Sequence, residues 1–268
     1  MRIALFNIDC LATNAPIGAF IARHRRQIAY VGLSPPFRRQ RGGFFRQSAR
    51  HLRRSGTDFS NFLTCNFVLP RLAGRRLGRG PTIEQFCKSV GIPAEPVADV
   101  DAPEVRERLS GLGVDLIVSC YFDQIFRPEI LALPRLGAIN VHSALLPDHR
   151  GPMPVLYCAL DTPPSLGVTV HRLEAAIDTG PILARAPYAA PAGETVLRSM
   201  RALHASGLDL VAGLLPGLAA GEVTGTPQSG GSYEGFPSAA DVRALKRRGV
   251  RLADAEDFRT ALRTPIGT

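Results

Sequence analysis

Residues 115–142 read DLIVSCYFDQIFRPEILALPRLGAINVH, and this stretch holds two short apolar runs with a helical segment between them. The first run, Asp115 to Tyr121, is nearly continuous in apolar residues, as strands buried inside a parallel sheet are. The second run, Ala138 to His142, predicts the next strand, and segment 128–133 predicts a short helix between the two. Strands that alternate with helices in this way are typical of an α/β protein.

The same alternation continues on both sides of this stretch. Apolar runs at 2–8 and 27–33 bracket a predicted helix near 15–25, and further strands are predicted at 168–173 and 182–186. We therefore predict an α/β fold with a Rossmann-like, mostly parallel, twisted sheet and helices on both of its faces.

Two regions interrupt this alternation. Residues 34–80 are predicted to form a basic helical insertion after the second strand, and Pro70 should interrupt its helix. A long helix near the end of the α/β region should bend or end at Pro216. The composition then changes to Thr, Gly, Pro, Gln and Ser, which is typical of a linker. We therefore assign residues 1–222 to one domain and residues 223–268 to a linker and a short carboxyl-terminal appendage.

The composition excludes several classes of protein. The chain has 268 residues, of which 45% are hydrophobic, so it can bury a sizeable core. No run approaches 18 consecutive apolar residues, so no transmembrane segment is predicted. The amino terminus lacks the pattern of a signal peptide, and we expect the protein to stay in the cytoplasm. The five cysteines are scattered without metal-ligand spacing, which predicts buried reduced thiols and no metal site.

Positive charge is concentrated near the amino terminus, and the formal net charge is +9 at pH 7. Ten arginines and no acidic residue lie between Asp9 and Asp58. Such a basic block indicates phosphate, nucleic acid or an anionic surface as a partner. A solvated basic surface explains the same composition, so the block identifies no partner by itself.

Residues suited to catalysis gather at the carboxyl end of the strand 138–142. Asn140 and His142 are two residues apart, so their side chains lie on the same face of the strand. Asp178 follows in the sequence Ile177-Asp-Thr-Gly180, in a turn before another predicted strand. An amide can stabilise an oxyanion, an imidazole can move a proton and a carboxylate can orient the imidazole. The set is therefore suited to acyl transfer.

The stretch 137–183 also resembles a known family. The string I-N-V-H-x-x-L-L-P-x-x-R-G, followed by G-V-T-V-H and by I-D-T-G-P-I-L, resembles the folate-dependent formyltransferases. The family includes methionyl-tRNA formyltransferase, the sugar N-formyltransferases and glycinamide ribonucleotide transformylase. The resemblance implies transfer of a formyl group from 10-formyltetrahydrofolate to a primary amine, without a metal. It implies catalytic roles for Asn140, His142 and Asp178, and it is poor between residues 8 and 80.

The same resemblance implies which residues contact the two substrates. The folate contacts are expected at Tyr121, Phe122, Gln124, Ile125, Phe126, Ala175, Ala176 and Ile177. The acceptor contacts are expected at Ser143, Pro147 and Arg150.

Differences between this sequence and its relatives limit the range of amine acceptors that we expect. The glycine-rich phosphate loop of glycinamide ribonucleotide transformylase is missing after the first strand, and the residues after Glu222 are too few for the barrel of the tRNA enzyme. We therefore expect a small-molecule acceptor, above all a nucleotide-linked amino sugar or a natural-product intermediate, and we disfavour nucleic acid as a partner. A phosphorylated acceptor would suit the basic block, with Arg38, Arg39 and Arg41 as contacts.

Two alternatives stay open. One is a methionyl-tRNA formyltransferase-like enzyme with a reduced carboxyl-terminal domain. The other is a non-catalytic module that binds folate or a nucleotide sugar. A homodimer is also left open.

Asp178 is expected to tune His142. A nearby carboxylate raises the pKa of an imidazole, so we expect the pKa of His142 to lie above its ordinary value of about 6.5. A protonated His142 would then help Asn140 to stabilise the oxyanion.

Overall fold

One seven-stranded sheet organises the residues that the computed structural model describes, which are 1–38, 42–77 and 82–267, with the main chain alone over 71–77. The strands are β1 (Ile3–Ile8), β2 (Ile28–Ser34), β3 (Ala94–Pro96), β4 (Leu116–Cys120), β5 (Ala138–His142), β6 (Gly167–Arg172) and β7 (Ile182–Pro187). Their order is β3-β2-β1-β4-β5-β6-β7. The pairs from β3 to β5 are parallel, whereas β6 and β7 are antiparallel additions at one edge.

Helices cover both faces of this sheet. Within the described residues they are α1 (Asn14–Arg23), α2 (Gly43–Leu77), α3 (Ile83–Ser89), α4 (Pro103–Gly111), α5 (Pro128–Leu131), α6 (Pro154–Cys158), α7 (Val196–Ala220), α8 (Ala239–Arg247) and α9 (Ala255–Arg263). Ile17 of α1 and Leu203 of α7 belong to the core on one face, and Leu109 of α4 and Ile130 of α5 to the core on the other. The predicted Rossmann-like α/β fold is confirmed.

The central strands are buried along their whole length. Every residue of β1 and β4 is buried, which explains why both read as continuous apolar runs. The carboxyl ends of β1, β4 and β5 meet at one edge of the sheet, where open α/β sheets place their ligands.

The helical insertion is α2, and its break does not lie at Pro70. Gly56 has φ of 80° and ψ of −177°, so the helical path is interrupted there. Pro70 lies inside the second half of α2 and cannot donate to the carbonyl of Asn66. That carbonyl instead accepts from the main-chain N–H of Leu11 at 3.0 Å. Pro70 is therefore tolerated because its missing hydrogen bond is replaced by a tertiary one, and the predicted interruption at Pro70 is wrong.

The long helix α7 runs through Pro216 and ends at Ala220, where Gly221 follows with φ of 75°. It is long and apolar enough to cross a membrane by length and composition alone. Leu203 and Val211 on its inner face are fully buried, as in the core helix of a globular domain. Its length and composition therefore do not show a membrane span.

Residues after Glu222 return to the rest of the molecule. Thr226 exchanges main-chain hydrogen bonds with Ile182 at 2.8 Å in both directions. Farther on, the buried Asp257 of α9 accepts from the hydroxyl of Thr195 at 2.7 Å. The carboxyl-terminal segment is thus anchored to β7 and to the start of α7, and the domain boundary at residue 222 stays a prediction.

The five cysteines are free thiols, and only Cys65 is not fully buried. Burial raises the pKa of Cys10 to about 11 and the pKa values of Cys87 and Cys158 to about 12. The prediction of buried reduced thiols is confirmed for Cys10, Cys87, Cys120 and Cys158.

Candidate active site

Amide, imidazole and carboxylate groups converge where β5 and β6 lie side by side. Asn140 and His142 project from one face of β5. The antiparallel register pairs His171 of β6 with Asn140. Asp178 lies in the turn between β6 and β7, with φ of 53°. The fold therefore brings the three predicted catalytic residues together, and it adds His171, to which the sequence analysis assigned no role.

Both ring nitrogens of His142 face oxygen atoms. Nε2 donates to the main-chain oxygen of His149 at 2.9 Å, and Nδ1 lies 3.5 Å from Oδ2 of Asp178. Because Nε2 carries the hydrogen of the first bond, Nδ1 is the basic nitrogen of the neutral ring. A proton taken up at Nδ1 would lie between the imidazole and the carboxylate.

The amide of Asn140 is oriented by His171. Nδ1 of His171 donates to the main-chain oxygen of Arg172 at 2.8 Å, so Nε2 of the neutral ring is an acceptor. Nε2 also lies 3.5 Å from Oδ1 of Asp178. The amide nitrogen of Asn140 donates to that Nε2 at 3.2 Å. One amide hydrogen of Asn140 is thereby fixed, and the amide retains a second N–H for a ligand.

Asp178 is held as a carboxylate. Burial alone would raise its pKa, but His142, His171 and the main-chain N–H of Gly151 lower the pKa to about 2. The Gly151 N–H donates to Oδ2 at 2.9 Å. Gly151 has φ of 116°, and a Cβ there would lie 2.1 Å from the main-chain oxygen of Glu234. Only glycine therefore lets this N–H approach the carboxylate.

Burial dominates the electrostatics of His142. Its side chain is 5% exposed, and loss of hydration lowers its pKa below the ordinary value, although Asp178 acts in the opposite direction. The expectation that Asp178 would hold this pKa above the ordinary value is therefore wrong. The lowered pKa favours the neutral imidazole, which can accept a proton.

These residues line a cavity of about 490 Å³ at the carboxyl edge of the sheet. Asn140, His142 and Asp178 lie on one wall. The insertion helix α2 forms another wall with residues on both sides of its break at Gly56. The cavity is therefore bounded jointly by the sheet and by the insertion.

The residues expected to contact folate differ in how much of their side chains is available to a ligand. Tyr121, Phe122, Gln124, Ile125, Phe126, Ala176 and Ile177 line the cavity, whereas Ala175 is not among the described residues that do. The side chain of Gln124 is committed to the protein, because it donates to Val97 O at 2.7 Å and accepts from Val100 N at 2.9 Å. Phe126 is 2% exposed and belongs to the core. Ile125 and Ile177 are 57% and 42% exposed, so they offer apolar surface to a ligand.

A family model described as formyl transferase matches residues 76–211, half of the chain. The chain belongs to the formyl transferase family. It is 34% identical over 159 residues to methionyl-tRNA formyltransferase from Methylococcus capsulatus, and the match covers 59% of this chain and 51% of that protein. The chain thus spans about half the length of the curated relatives it matches.

Solved structures of formyltransferases have the same fold. A sugar N-formyltransferase from Shewanella sp. FDAARGOS_354 matches with a TM-score of 0.56 and 18% identity, over 91% of this chain and 80% of that one. An N-formyltransferase from Helicobacter canadensis, solved in complex with folinic acid and dTDP-3-aminofucose, matches with a TM-score of 0.55 and 15% identity. That match covers 88% of this chain and 71% of the other. At such identities these likenesses show the fold alone.

The acceptor contacts expected for this formyl transferase family member are only partly at the cavity. Ser143 lines it. Pro147 and Arg150 are not among its described lining residues, and the guanidinium of Arg150 donates to the main-chain oxygen of Gly230 at 2.9 Å. Arg38 is 9% exposed and pairs with Asp123 at 2.9 Å, so its charge is already neutralised inside the protein. Arg39 and Arg41 lie outside the described residues.

Several cavity residues were not found from the sequence of this family member. Gln47, Arg50, His51, Arg54, Tyr233 and Phe236 line the cavity. Their positions depend on how α2 and the segment after residue 222 fold back, which no local pattern specifies. His171 is not among the described lining residues, but it contacts Asn140 and Asp178, and the two-residue period of β6 places it on the same face as Thr169, beside β5. Among the described residues, no group of three His, Cys, Asp or Glu side chains is placed to hold a metal ion.

Proposed function

We propose that this chain is an N-formyltransferase that moves the formyl group of 10-formyltetrahydrofolate to a primary amine of a small molecule. The observation that carries the proposal is the convergence of Asn140, His142 and Asp178 in one cavity, with His142 Nδ1 3.5 Å from Asp178 Oδ2. Family membership supports the same chemistry. We propose a nucleotide-linked amino sugar or a natural-product intermediate as the acceptor.

The cavity suits a flat, partly apolar co-substrate. Ile125 and Ile177, from the two segments expected to hold the pterin, are large apolar side chains that would be covered by a bound ring system. 10-Formyltetrahydrofolate would supply an electrophilic formyl carbon there. The side chain of Gln124 is already bonded within the protein, so the polar edge of the co-substrate would be bound by other groups of these segments.

Asn140 would stabilise the charge that develops on the formyl oxygen. The second N–H of its amide is oriented by the bond of the first to His171 Nε2, so little reorganisation is needed during the reaction. Neutral His142 would accept the proton of the attacking amine at Nδ1. Asp178 would stabilise the imidazolium that results.

The proposed reaction balances without a further reagent. A bond forms between the amine nitrogen and the formyl carbon, and the bond from that carbon to the folate nitrogen breaks. The proton lost by the amine passes through His142 to the released folate nitrogen. Because the proton is returned, His142 leaves the cycle in its neutral form.

The test is a formyl-transfer assay with the full chain, 10-formyltetrahydrofolate and a panel of amino sugars linked to nucleoside diphosphates. Mass spectrometry should detect a product in which one formyl group replaces one hydrogen. H142Q should abolish the transfer and retain binding of a folate analogue. H24Q is the matched control, because His24 caps α1 and bonds to Gln27 at 3.0 Å, outside the cavity lining. Equal activity of H142Q and H24Q would contradict the proposal.

A second candidate function rests on the curated relatives, which are named methionyl-tRNA formyltransferases. Formylation of charged initiator tRNA, with affinity that falls steeply as salt rises, would favour it. Turnover of amino sugars but not of tRNA would favour the small acceptor. Binding of both ligands with no turnover of any amine would favour a non-catalytic binding module.

A further inference from the structure

The first half of α2, residues 43–56, crosses the cavity; we call it the crossing helix. Just before it, Arg38 bonds to the carboxylate and the main-chain oxygen of Asp123, next to the segment expected to hold folate. At its other end, the hydroxyl of Ser55 donates to the main-chain oxygen of Pro237 at 2.5 Å. The crossing helix is therefore anchored at both ends, over the cavity.

The crossing helix is basic where it borders the cavity and mixed on its outer side, where exposed apolar side chains lie beside Arg46 and Arg53. Its cavity face carries Gln47, Arg50, His51 and Arg54, at the spacings of three and four residues that share one face. Phe45 is 85% exposed and Leu52 is 49% exposed, and the helical period places both on the far side. An amphipathic helix ordinarily turns its apolar face to the protein and its charges to water. The crossing helix departs from this pattern, because part of its basic surface borders the cavity.

No ion pair is seen for the two arginines that line the cavity from the crossing helix, within the described part of the chain. Among the residues that the structure describes, neither Arg50 nor Arg54 forms an ion pair, although Arg38, Arg198 and Arg251 do. Burial lowers the pKa of His51 between them, and the charges of Arg50 and Arg54 lower it further. Two arginines and a histidine with a lowered pKa therefore lie together along this wall of the cavity.

An aromatic surface adjoins these cations. Tyr233 lines the cavity with 58% of its surface exposed, and a Cβ at Gly151 would lie 3.3 Å from its ring. Gly151 donates to the Asp178 carboxylate. A Cβ at Gly235 would lie 2.9 Å from the guanidinium of Arg54. Tyr233 therefore lies beside Gly151, and Gly235, two residues farther on, lies beside Arg54.

We propose that Arg50 and Arg54 bind a phosphate-bearing end of the acceptor and that Tyr233 packs against its nucleoside or sugar ring. The assignment rests on the proposed function and specifies its substrate class, an amine on a phosphate ester or a pyrophosphate ester. Arginine suits this role because its planar group donates two parallel hydrogen bonds to phosphate oxygens. A small acceptor suits this assignment, because Arg50, Arg54 and Tyr233 line one cavity of about 490 Å³ together with the predicted catalytic residues.

The test measures binding, so it does not depend on turnover. Isothermal titration of the full chain with thymidine diphosphate and with inorganic pyrophosphate should show binding of both. R50Q and R54Q should each weaken both affinities by about tenfold to a hundredfold, as expected for a charged hydrogen bond. R53Q is the matched control, since Arg53 is exposed on the same helix and is not among the described lining residues. It should change either affinity less than twofold.

A further variant and further controls distinguish between classes of ligand. Y233A should weaken thymidine diphosphate binding and leave pyrophosphate binding unchanged. All variants should keep the melting temperature and the folate-analogue affinity of the wild type. Equal loss in R53Q and R54Q, no binding of either phosphate compound, or competition by initiator tRNA alone would overturn the inference. Tight binding of the phosphate compounds without formyl transfer would instead contradict the proposed function and still support a phosphate site at Arg50 and Arg54.

Discussion

Replacing Asp178 with Asn tests the assigned roles of Asp178 and His142 together. The substitution keeps the shape of the side chain and removes a charge that lies 3.5 Å from His142 Nδ1. At that distance, with an effective dielectric constant of about 20, the attraction between the carboxylate and an imidazolium is about 5 kcal/mol. Removal of one partner of a buried pair costs about 3–5 kcal/mol in measured cases. Each 1.4 kcal/mol is about a tenfold change in rate, so kcat should fall by about a hundredfold to a few thousandfold.

The same substitution should lower the pKa of His142 further. In the wild type, burial lowers this pKa and Asp178 offsets part of the effect, so loss of the carboxylate removes the part that raises it. NMR titration of the imidazole measures the pKa without an acceptor, and H142Q identifies its signal. In the wild type, formyl transfer should decline on the acid side as His142 becomes protonated and can no longer accept the amine's proton.

Two results would refute this reasoning. One is a wild-type His142 pKa above about 6.5, the ordinary value. The other is a D178N variant in which kcat falls while the His142 pKa stays unchanged, which would mean that Asp178 orients folate or water. D209N is the control, because Asp209 is 66% exposed and pairs with Arg23 at the surface. It should alter neither quantity.

Three further substitutions test single contacts. N140A should lower kcat by about a hundredfold to a thousandfold, as loss of one oxyanion donor does, and leave folate-analogue affinity unchanged in a fluorescence titration. H171F should lower kcat by at least about threefold to tenfold, because it removes the neutral hydrogen bond that orients Asn140 and also the contact with Asp178; unchanged kcat would contradict the positioning role of His171. D257A should lower the free energy of unfolding by about 1–3 kcal/mol in urea, because it leaves the buried Thr195 hydroxyl without its acceptor. E256A, at an exposed neighbouring position, should change it by less than about 0.5 kcal/mol, and equal losses would contradict the buried network.

The strands and the catalytic pair on β5 could be predicted because their signals are local. A strand buried on both faces must be apolar along its length, as β1 and β4 are. The two-residue period of a strand places Asn140 and His142 on one face whatever surrounds them. The insertion after β2 is also visible in the sequence, because the basic, Pro-flanked stretch differs from the alternating strands and helices around it.

The tertiary structure decided what depends on neighbours distant in sequence. The sequence predicts a carboxylate near His142, but the sign of the pKa shift follows from burial, which packing sets. Pro70 stays inside α2 because the Asn66 carbonyl that it leaves free is bonded by Leu11, a residue far away in the chain. His171 reaches Asn140 only through the register of two antiparallel strands.

The arginines of the insertion show the same difference between what composition and what packing determines. The sequence alone determined that arginines crowd the insertion. Which of them face the cavity depends on the break at Gly56 and on the anchors of the crossing helix to Asp123 and Pro237. Those long-range contacts neutralise Arg38 inside the protein and turn Arg50 and Arg54 toward the reaction site. The number of arginines in the insertion follows from composition, but which of them line the cavity follows from packing.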